Sequence, residues 1–286
     1  MNFGNYTIFD EWKSKMTVLR SSKIASAASS HATKFVHAVT LTPALSAING
    51  LRSEDRGAVN IDVMIKQHLN YIDALKYAGA EVTELKALAE FPDAQFVEDT
   101  ALCLPSVAIM MRPGAASRRG EVAPMRDVLS KRFDNIEDIS EGYIEAGDIL
   151  TTPTEILVGL SSRTNVEGAE QLQNILQHYG FSVRIFNTPP EVLHFKTDCS
   201  LIDDNCLLST KRLASSGCFK GYNVLLTPEG EEEAANMVRY NDHIIMAEGF
   251  YKTEEMLKER GFNVLTVANS ECAKIDGGMS CLSLRF

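Results

Sequence analysis

The sequence predicts an α/β protein made from one structural unit used five times and closed end to end. Three observations carry that reading. A hairpin, a helix and a further strand recur in the same order along most of the chain. The segments at the two ends read as the missing halves of one such unit. Residues capable of chemistry recur with the unit, near the start of its first strand. Repeats of about 40–50 residues build arrays, solenoids or propellers, and joined ends favour a ring.

In chain order, Val36 to Leu41 reads as a strand, and a loop with Pro43 and Gly50 follows from Thr42 to Arg56. Ala58 to Ala78 predicts a helix, because Ile61, Ile65, Leu69, Ile72 and Leu75 recur at three- and four-residue steps and Gly79 stops it. Glu81 to Leu85 is a short strand. The first complete unit has strands Phe96 to Leu104 and Val107 to Met111 around a Pro105-Ser106 turn. A polar loop with Arg118 leads to a helix near Pro124 to Lys131, where Pro suits a first helical turn, and strand Asn135 to Ile139 completes it. The second unit has Ile144 to Thr151 and Glu155 to Leu160 around Pro153-Thr154. A loop with Arg163 follows, then a helix through Ala169 and Leu176 to Tyr179, then strand Phe181 to Phe186. The third is abbreviated: Cys199 to Ile202, Cys206 to Leu208, a short connection, and Tyr222 to Leu226. The fourth runs Asn236 to Tyr240, His243 to Ala247, helix Glu254 to Arg260 ended by Gly261, and strand Phe262 to Val267. The fifth is split, with its first strand following Gly277-Gly278 at the C-terminus and the rest at the N-terminal side.

Glu98, Glu145, His194, Asn236 and Cys281 occupy equivalent places, spaced 47, 49, 42 and 45 residues in turn. Around a common axis they converge on one central cleft. A lone cysteine is ordinarily inert core, since reactivity needs a setting that favours thiolate. Here an imidazole and a carboxylate accompany it, and a base oriented by an acid is the usual way to activate a nucleophile. Glu98 and Asp99 interrupt an apolar stretch, and adjacent buried carboxylates demand a cation or hydrogen bonds. Asp93 adds a third negative charge nearby. Arg118 and Arg163, in matching loops, suit bidentate capture of a carboxylate. The set describes a zwitterion, cationic at the thiol end and anionic at the arginine end; an arginine-like amino acid fits.

Composition narrows the class. With 45% hydrophobic residues, 23% charged and 9 Pro, the chain is globular rather than disordered. A net charge of −10 argues against nucleic-acid or membrane-surface partners and mildly favours a cationic ligand. The longest apolar stretch, Ala101 to Met111, is far too short to span a bilayer. Six cysteines without a CxxC pair read as reduced thiols in a cytoplasmic setting. The spacing of His194, Cys199 and Cys206 matches no common zinc pattern. Residues 1–34 read as an N-terminal extension without the apolar core of a secretory signal, and 35–286 as a single catalytic domain.

Phe96-Val97-Glu98-Asp99, Arg112-Pro113-Gly114-Ala115-Ala116-Ser117-Arg118-Arg119, Glu145-Ala146-Gly147-Asp148, Val158 to Asn165, Leu193-His194-Phe195-Lys196 and Cys281-Leu282-Ser283 together resemble the dimethylarginine dimethylaminohydrolases, from about residue 36 to 286. These belong to the guanidino-modifying superfamily. The resemblance implies a five-bladed pseudo-symmetric α/β propeller with a central active-site cleft. It implies Cys281 as nucleophile, His194 as proton donor and then base, and Glu145 as the acid orienting it. Asp93, Glu98 and Asp99 then match guanidinium-binding acids, and Arg118 and Arg163 match contacts to the substrate carboxylate. Leu51, in a loop over the site, and the backbone at Ile275 and Asp276 match further ligand contacts. No cofactor is implied, zinc figures only as an inhibitor, and the protein is expected as a monomer or homodimer. Ala146 departs from the usual Gly-Gly-Asp turn. Arginine deiminases and amidinotransferases generally carry His-x-Asp where this chain has His194-Phe195-Lys196, which favours methylated over plain arginine. A deiminase-like enzyme and a catalytically silent binder of arginine derivatives are the alternatives.

Overall fold

A computed structural model describes residues 31–286. Its strands form five three-stranded sheets. Strands β3 (Ala101–Leu104), β4 (Val107–Met110) and β5 (Ile136–Asp138) make blade 1; β6 (Ile149–Thr151), β7 (Ile156–Leu160) and β8 (Val183–Asn187) make blade 2. Blade 3 holds β9 (Cys199–Asp203), β10 (Cys206–Ser209) and β11 (Asn223–Leu226), and blade 4 holds β12 (Val238–Tyr240), β13 (His243–Ala247) and β14 (Asn263–Val267). Blade 5 combines β15 (Leu284–Arg285) with β1 (His37–Leu41) and β2 (Glu81–Leu85). In every blade the middle strand is antiparallel to the innermost strand and parallel to the outer one. Tight turns join the antiparallel pairs of blades 1 to 4, while a parallel pairing requires a longer crossover. Helices supply it in α1 (Ile61–Tyr77), α2 (Val122–Leu129), α3 (Val166–His178), α4 (Lys211–Ala214) and α5 (Tyr251–Glu259).

The hydrophobic cores close the ring. One core joins Leu102 and Ile109 of blade 1 to Ile149 and Val158 of blade 2. A second joins Leu150 and Leu157 to Leu201 and Leu207, and a third joins Ile202 and Leu208 to Ile244 and Met246. A fourth sets Val238 and Ile245 against Ala38 and α1, and the last sets Val39 and Leu41 against Ala108 and Met110. Successive side chains of a strand face opposite ways, so each blade feeds the core on either side of it. A cavity of about 100 Å³ is lined by Leu102, Leu150, Leu201, Val238 and Leu284, one residue from the innermost strand of each blade. The expected five-bladed propeller is the observed fold.

Boundaries differ where the chain approaches the ring's centre. Expected strands over Phe96 to Leu104 and Ile144 to Thr151 begin only at Ala101 and Ile149, because 3-10 turns occupy Val97–Thr100 and Ala146–Asp148. Similar turns occupy Phe195–Thr197, Glu232–Ala235 and Ser280–Leu282, so Cys281 lies in a turn ahead of β15. The chain must reverse there to enter each inner strand, and such turns leave no periodic signature. The helix expected from Ala58 starts at Ile61, where the Asn60 side chain accepts from Val63 N at 3.1 Å. Helices α4 and α6 (Ser270–Ala273) are additional elements. Of the expected extension, 1–30 lies outside the described residues. Residues 33–35 are held to the β12–β13 turn through Asn241 N on Thr33 O (2.8 Å) and Phe35 N on the Asn241 side chain (3.0 Å).

Candidate active site

All five blade-heading positions sit at these inner turns, which pair Glu145 with His194 and set Glu98 and Asn236 against Ser280, the neighbour of Cys281. Glu145, fully buried, meets His194 Nε2 at 2.8 Å through Oε2. Its Oε1 accepts from Ala115 N at 3.2 Å, and Arg163 Nη1 lies 3.4 Å from both carboxylate oxygens. Asp99 Oδ1 stands 4.0 Å from His194 Nε2 and accepts from Gly147 N at 2.8 Å. Asp148, also fully buried, accepts from Phe195 N (2.8 Å), Ser161 Oγ (2.7 Å) and Thr164 Oγ1 (2.7 Å). It thereby fastens the His194 turn to the Glu145 and Arg163 loops. Ala146, in place of a glycine, packs into the core between blades 1 and 2 and leaves Glu145 in place.

Electrostatics make His194 and Glu145 an ion pair. Burial opposes a charged imidazole, but Asp99, the hydrogen bond to Glu145 and Asp148 outweigh it and raise the ring above its ordinary value. Burial likewise favours a neutral Glu145, yet the bond to His194 and the charges of His194, Arg118 and Arg163 hold it well below the usual carboxylate range.

Cys281 is half-buried among apolar groups around α1 and Met279. Burial first, then the charges of Glu98 and Asp99, push its thiol up to about 12; the Gly278 N–H and Lys196 act in the opposite sense. These surroundings favour the neutral thiol at pH 7. Its neighbour Ser280 donates through Oγ to Glu98 Oε2 at 2.7 Å. The other Glu98 oxygen meets Lys196 Nζ at 2.7 Å and Arg285 Nη2 at 2.5 Å. Burial would raise Glu98, but Lys196 and Arg285 overcome it and keep the acid charged. Gly277 and Gly278 owe their presence to close packing. A Cβ would fall 2.2 Å from the Phe96 ring at the first and 2.3 Å from the Asn236 amide at the second.

The remaining expected residues fall into two groups. Arg118 is buried, with Nη1 on Asp99 Oδ2 (2.5 Å), Nη2 on Glu121 (2.9 Å) and the Phe96 carbonyl (2.9 Å), and Nε on Glu121 (3.1 Å). Its fork is engaged with protein groups, whereas the Arg163 side chain keeps 19% of its surface exposed. Asp93, Leu51, Ile275 and Asp276 form the rim. Asp93 Oδ1 accepts from Leu51 N at 2.9 Å, and Asp276 accepts from Ser53 N (2.5 Å) and Ser53 Oγ (3.0 Å). Ile275 is buried, and a Cβ at position 50 would stand 2.9 Å from its Cδ1 and 3.0 Å from Asp93 Oδ1. Asp276 adopts φ +59°, a left-handed conformation that Asp tolerates better than most residues. Burial raises Asp93 above its usual value against the pull of Arg118.

Sequence reasoning missed Asp148, Glu121, Ser280 and Arg285. The available signal was proximity in sequence: Asp148 lies in the Glu145 motif, Ser280 adjoins Cys281, and Glu121 and Arg285 each follow a motif by two residues. Asp99, Glu145 and His194 offer ligand atoms within 4.8 Å of one another. Both carboxylates already face guanidinium groups, a cationic neighbourhood unsuited to a metal ion. Cys199, of the discounted zinc spacing, donates its thiol to Phe195 O at 3.3 Å.

The arginine deiminase family profile matches residues 88–245. The N(G),N(G)-dimethylarginine dimethylaminohydrolase of Pseudomonas aeruginosa is 39% identical over 254 residues, covering 88% of this chain and all of that protein. The enzyme of the same name from Streptomyces coelicolor is 30% identical over 236 residues, covering 81% of this chain and 89% of that one. The Pseudomonas structure, solved as a cysteine-to-serine mutant with citrulline, superposes with a TM-score of 0.86 at 38% identity, covering 88% of this chain and all of that chain. The N-terminal domain of a cyanobacterial arginine dihydrolase shares the fold, with a TM-score of 0.78 at 19% identity over 88% of this chain and 97% of that chain. With that identity across nearly the whole chain, on the same five-bladed frame, this protein belongs to the dimethylarginine dimethylaminohydrolase family.

Proposed function

We propose that the chain hydrolyses Nω-methylated arginine, both asymmetric dimethylarginine and monomethylarginine, to citrulline and the corresponding methylamine. The observation that carries this is the buried His194–Glu145 pair at 2.8 Å, with Asp99 acting on both that imidazole and the Cys281 thiol. A guanidinium seated against Asp99 and Asp93, with Glu98 beneath, places positive charge beside Cys281 and stabilises its thiolate, the thiol proton passing to solvent. The thiolate attacks the guanidinium carbon and forms a C–S bond. Imidazolium His194 then delivers its proton to the departing methylamine as the C–N bond breaks, leaving an S-linked thiouronium. Neutral His194 next takes a proton from water, whose oxygen bonds to the same carbon. The C–S bond breaks, the remaining hydroxyl proton passes to the departing sulfur to restore the thiol, and citrulline leaves. Glu145 keeps the imidazole oriented throughout and stabilises it whenever it is charged.

Arg163, with Arg118 behind it, takes the substrate carboxylate. Leu51 and the backbone at Ile275 and Asp276 close around the amino-acid end. Lys196 favours the methylated substrate: where a deiminase has an acid for a second guanidinium nitrogen, this lysine pairs with Glu98 at 2.7 Å. That leaves space and less negative charge for an N-methyl group. Residues 35–286 act as one catalytic domain, with 1–34 as an extension. All six cysteines are free thiols, which fits a reducing cytoplasm. Among the described residues no helix is long and apolar enough to cross a membrane. No cofactor is required, and the enzyme works as a monomer or homodimer without nucleic acid. Citrulline release from asymmetric dimethylarginine, monomethylarginine and arginine tests the assignment. The methylated substrates are expected to give the higher kcat/KM; faster turnover of plain arginine would overturn it.

A further inference from the structure

The turn heading blade 4 presents an amide where its counterparts present acids, an imidazole and a thiol. Asn236 is 7% exposed, and both ends of its side chain are engaged. Nδ2 donates to the Lys196 carbonyl at 3.0 Å, inside the turn that follows His194. Oδ1 accepts from Ser280 N at 2.8 Å, inside the turn that holds Cys281. The backbone of Gly278 lies so close that a Cβ there would stand 2.3 Å from the Asn236 Cγ and 2.5 Å from its Nδ2. The Gly278 N–H in turn favours the thiolate form of Cys281. A primary amide suits this place because it offers a donor and an acceptor without charge. An aspartate would set an oxygen against the Lys196 carbonyl.

We propose that Asn236 is a positioning residue: its amide fixes the nucleophile turn against the acid–base turn and so sets where Cys281 stands relative to His194. The inference rests on Cys281 and His194 acting as described above, and it gives the fourth blade a part in the chemistry that its sequence position alone does not reveal.

Three variants and one double test it. Asn236→Asp keeps the acceptor for Ser280 and removes the donor to Lys196; Asn236→Ala removes both; Gly278→Ala presses on the same contact from the loop side. Asn236→Asp is expected to lower kcat about 10- to 100-fold with KM within about threefold, since a displacement near 1 Å costs about that much in rate. Gly278→Ala lowers kcat alone but costs little further in an Asn236→Ala background, because the two changes act on one contact. A readout that needs no substrate is alkylation of Cys281 by iodoacetamide, followed on the Cys281 peptide. It should slow at least about threefold at mildly alkaline pH as the thiolate loses the Gly278 N–H. Wild-type kcat in Asn236→Asp, additive losses in the double variant, or unchanged alkylation would each overturn the inference. If alkylation slows while even the wild type ignores methylarginines, the substrate assignment fails and the positioning role stands. Wild-type turnover with unaltered variants gives the reverse.

Discussion

At Cys281 the surroundings oppose the charge that the reaction needs. With burial, Glu98 and Asp99 raising the thiol to about 12, little thiolate exists at pH 7 in the free protein. Ultraviolet thiolate absorbance, taken against Cys281→Ser, is therefore expected to stay near zero through neutral pH and to rise when a guanidinium ligand binds. A thiolate present without ligand would count against activation by the substrate's own charge. Cys281→Ser and His194→Gly should abolish citrulline release. Cys218→Ser should not, because Cys218 is buried in the core between blades 2 and 3. The His194 imidazole, raised by Asp99 and Glu145, stays protonated above its ordinary range, so its contribution to stability is lost only as pH rises through that raised value. Glu145→Gln removes an anion and is expected to move the alkaline limb of the kcat profile to lower pH, with a rate loss of about 100-fold or more.

At the scale of elements, the inner turns and the loop carrying Leu51 hold the proposed site residues. Gly147 lies between two site residues: an added Cβ would stand 2.7 Å from Asp99 Oδ1 and 2.9 Å from the His194 ring. Gly147→Ala is thus expected to destabilise by about 1–3 kcal/mol, as overpacking does, and to lower kcat more than it raises KM. Thermal unfolding and steady-state kinetics read the two effects separately. The loop is tied down at three places, Leu51 to Asp93, Ser53 to Asp276 and Arg56 to Glu233 at 2.6 Å. Its apolar side chains Leu45 and Ile48 remain exposed at 77% and 48%. Asp276→Ala removes the middle tie and leaves a β-carbon residue at positive φ. Limited proteolysis within residues 50–57 is expected to quicken, and KM for methylarginine to rise; an unchanged cleavage rate would show that the tie is dispensable.

For the whole molecule, closure rests on a short C-terminal strand. Phe286 O accepts from Val36 N at 3.0 Å and His37 N at 2.7 Å, while Arg285 reaches Glu98 in blade 1. Deleting 284–286 opens the ring and leaves Glu98 with one cation fewer. Cooperative unfolding should occur at a markedly lower temperature, measurable by calorimetry. A second global prediction concerns acid. His68 faces the core from α1, and burial depresses its pKa to about 4 despite the pull of Glu84. The unfolded chain takes up that proton first, so stability is intact above an ordinary histidine value near 6.5 and declines as pH falls toward 4. The full loss is about 3 kcal/mol. His68→Leu is expected to flatten that part of the denaturation profile. A wild-type midpoint that does not change across this window would contradict it.

Much of this protein was determined by the sequence alone, because its information is local and repeated. Periodic helices, proline-marked hairpins and the recurring acid, imidazole, amide and thiol placed five units on a ring and singled out Glu145, His194 and Cys281 as the residues to head them. The tertiary structure decided what those residues touch. Glu98 turned out to share its charge between Lys196 and Arg285, Arg118 to be engaged with Asp99 and Glu121, and Asn236 to join the turns of His194 and Cys281. Except for the pairs of Arg118 with Asp99 and Glu121, these partners come from different blades or from opposite ends of the chain. The burial that sets each charge also arises only when the ring closes. Spacing can show that side chains converge; only packing fixes which of them pair and which stay available to a ligand.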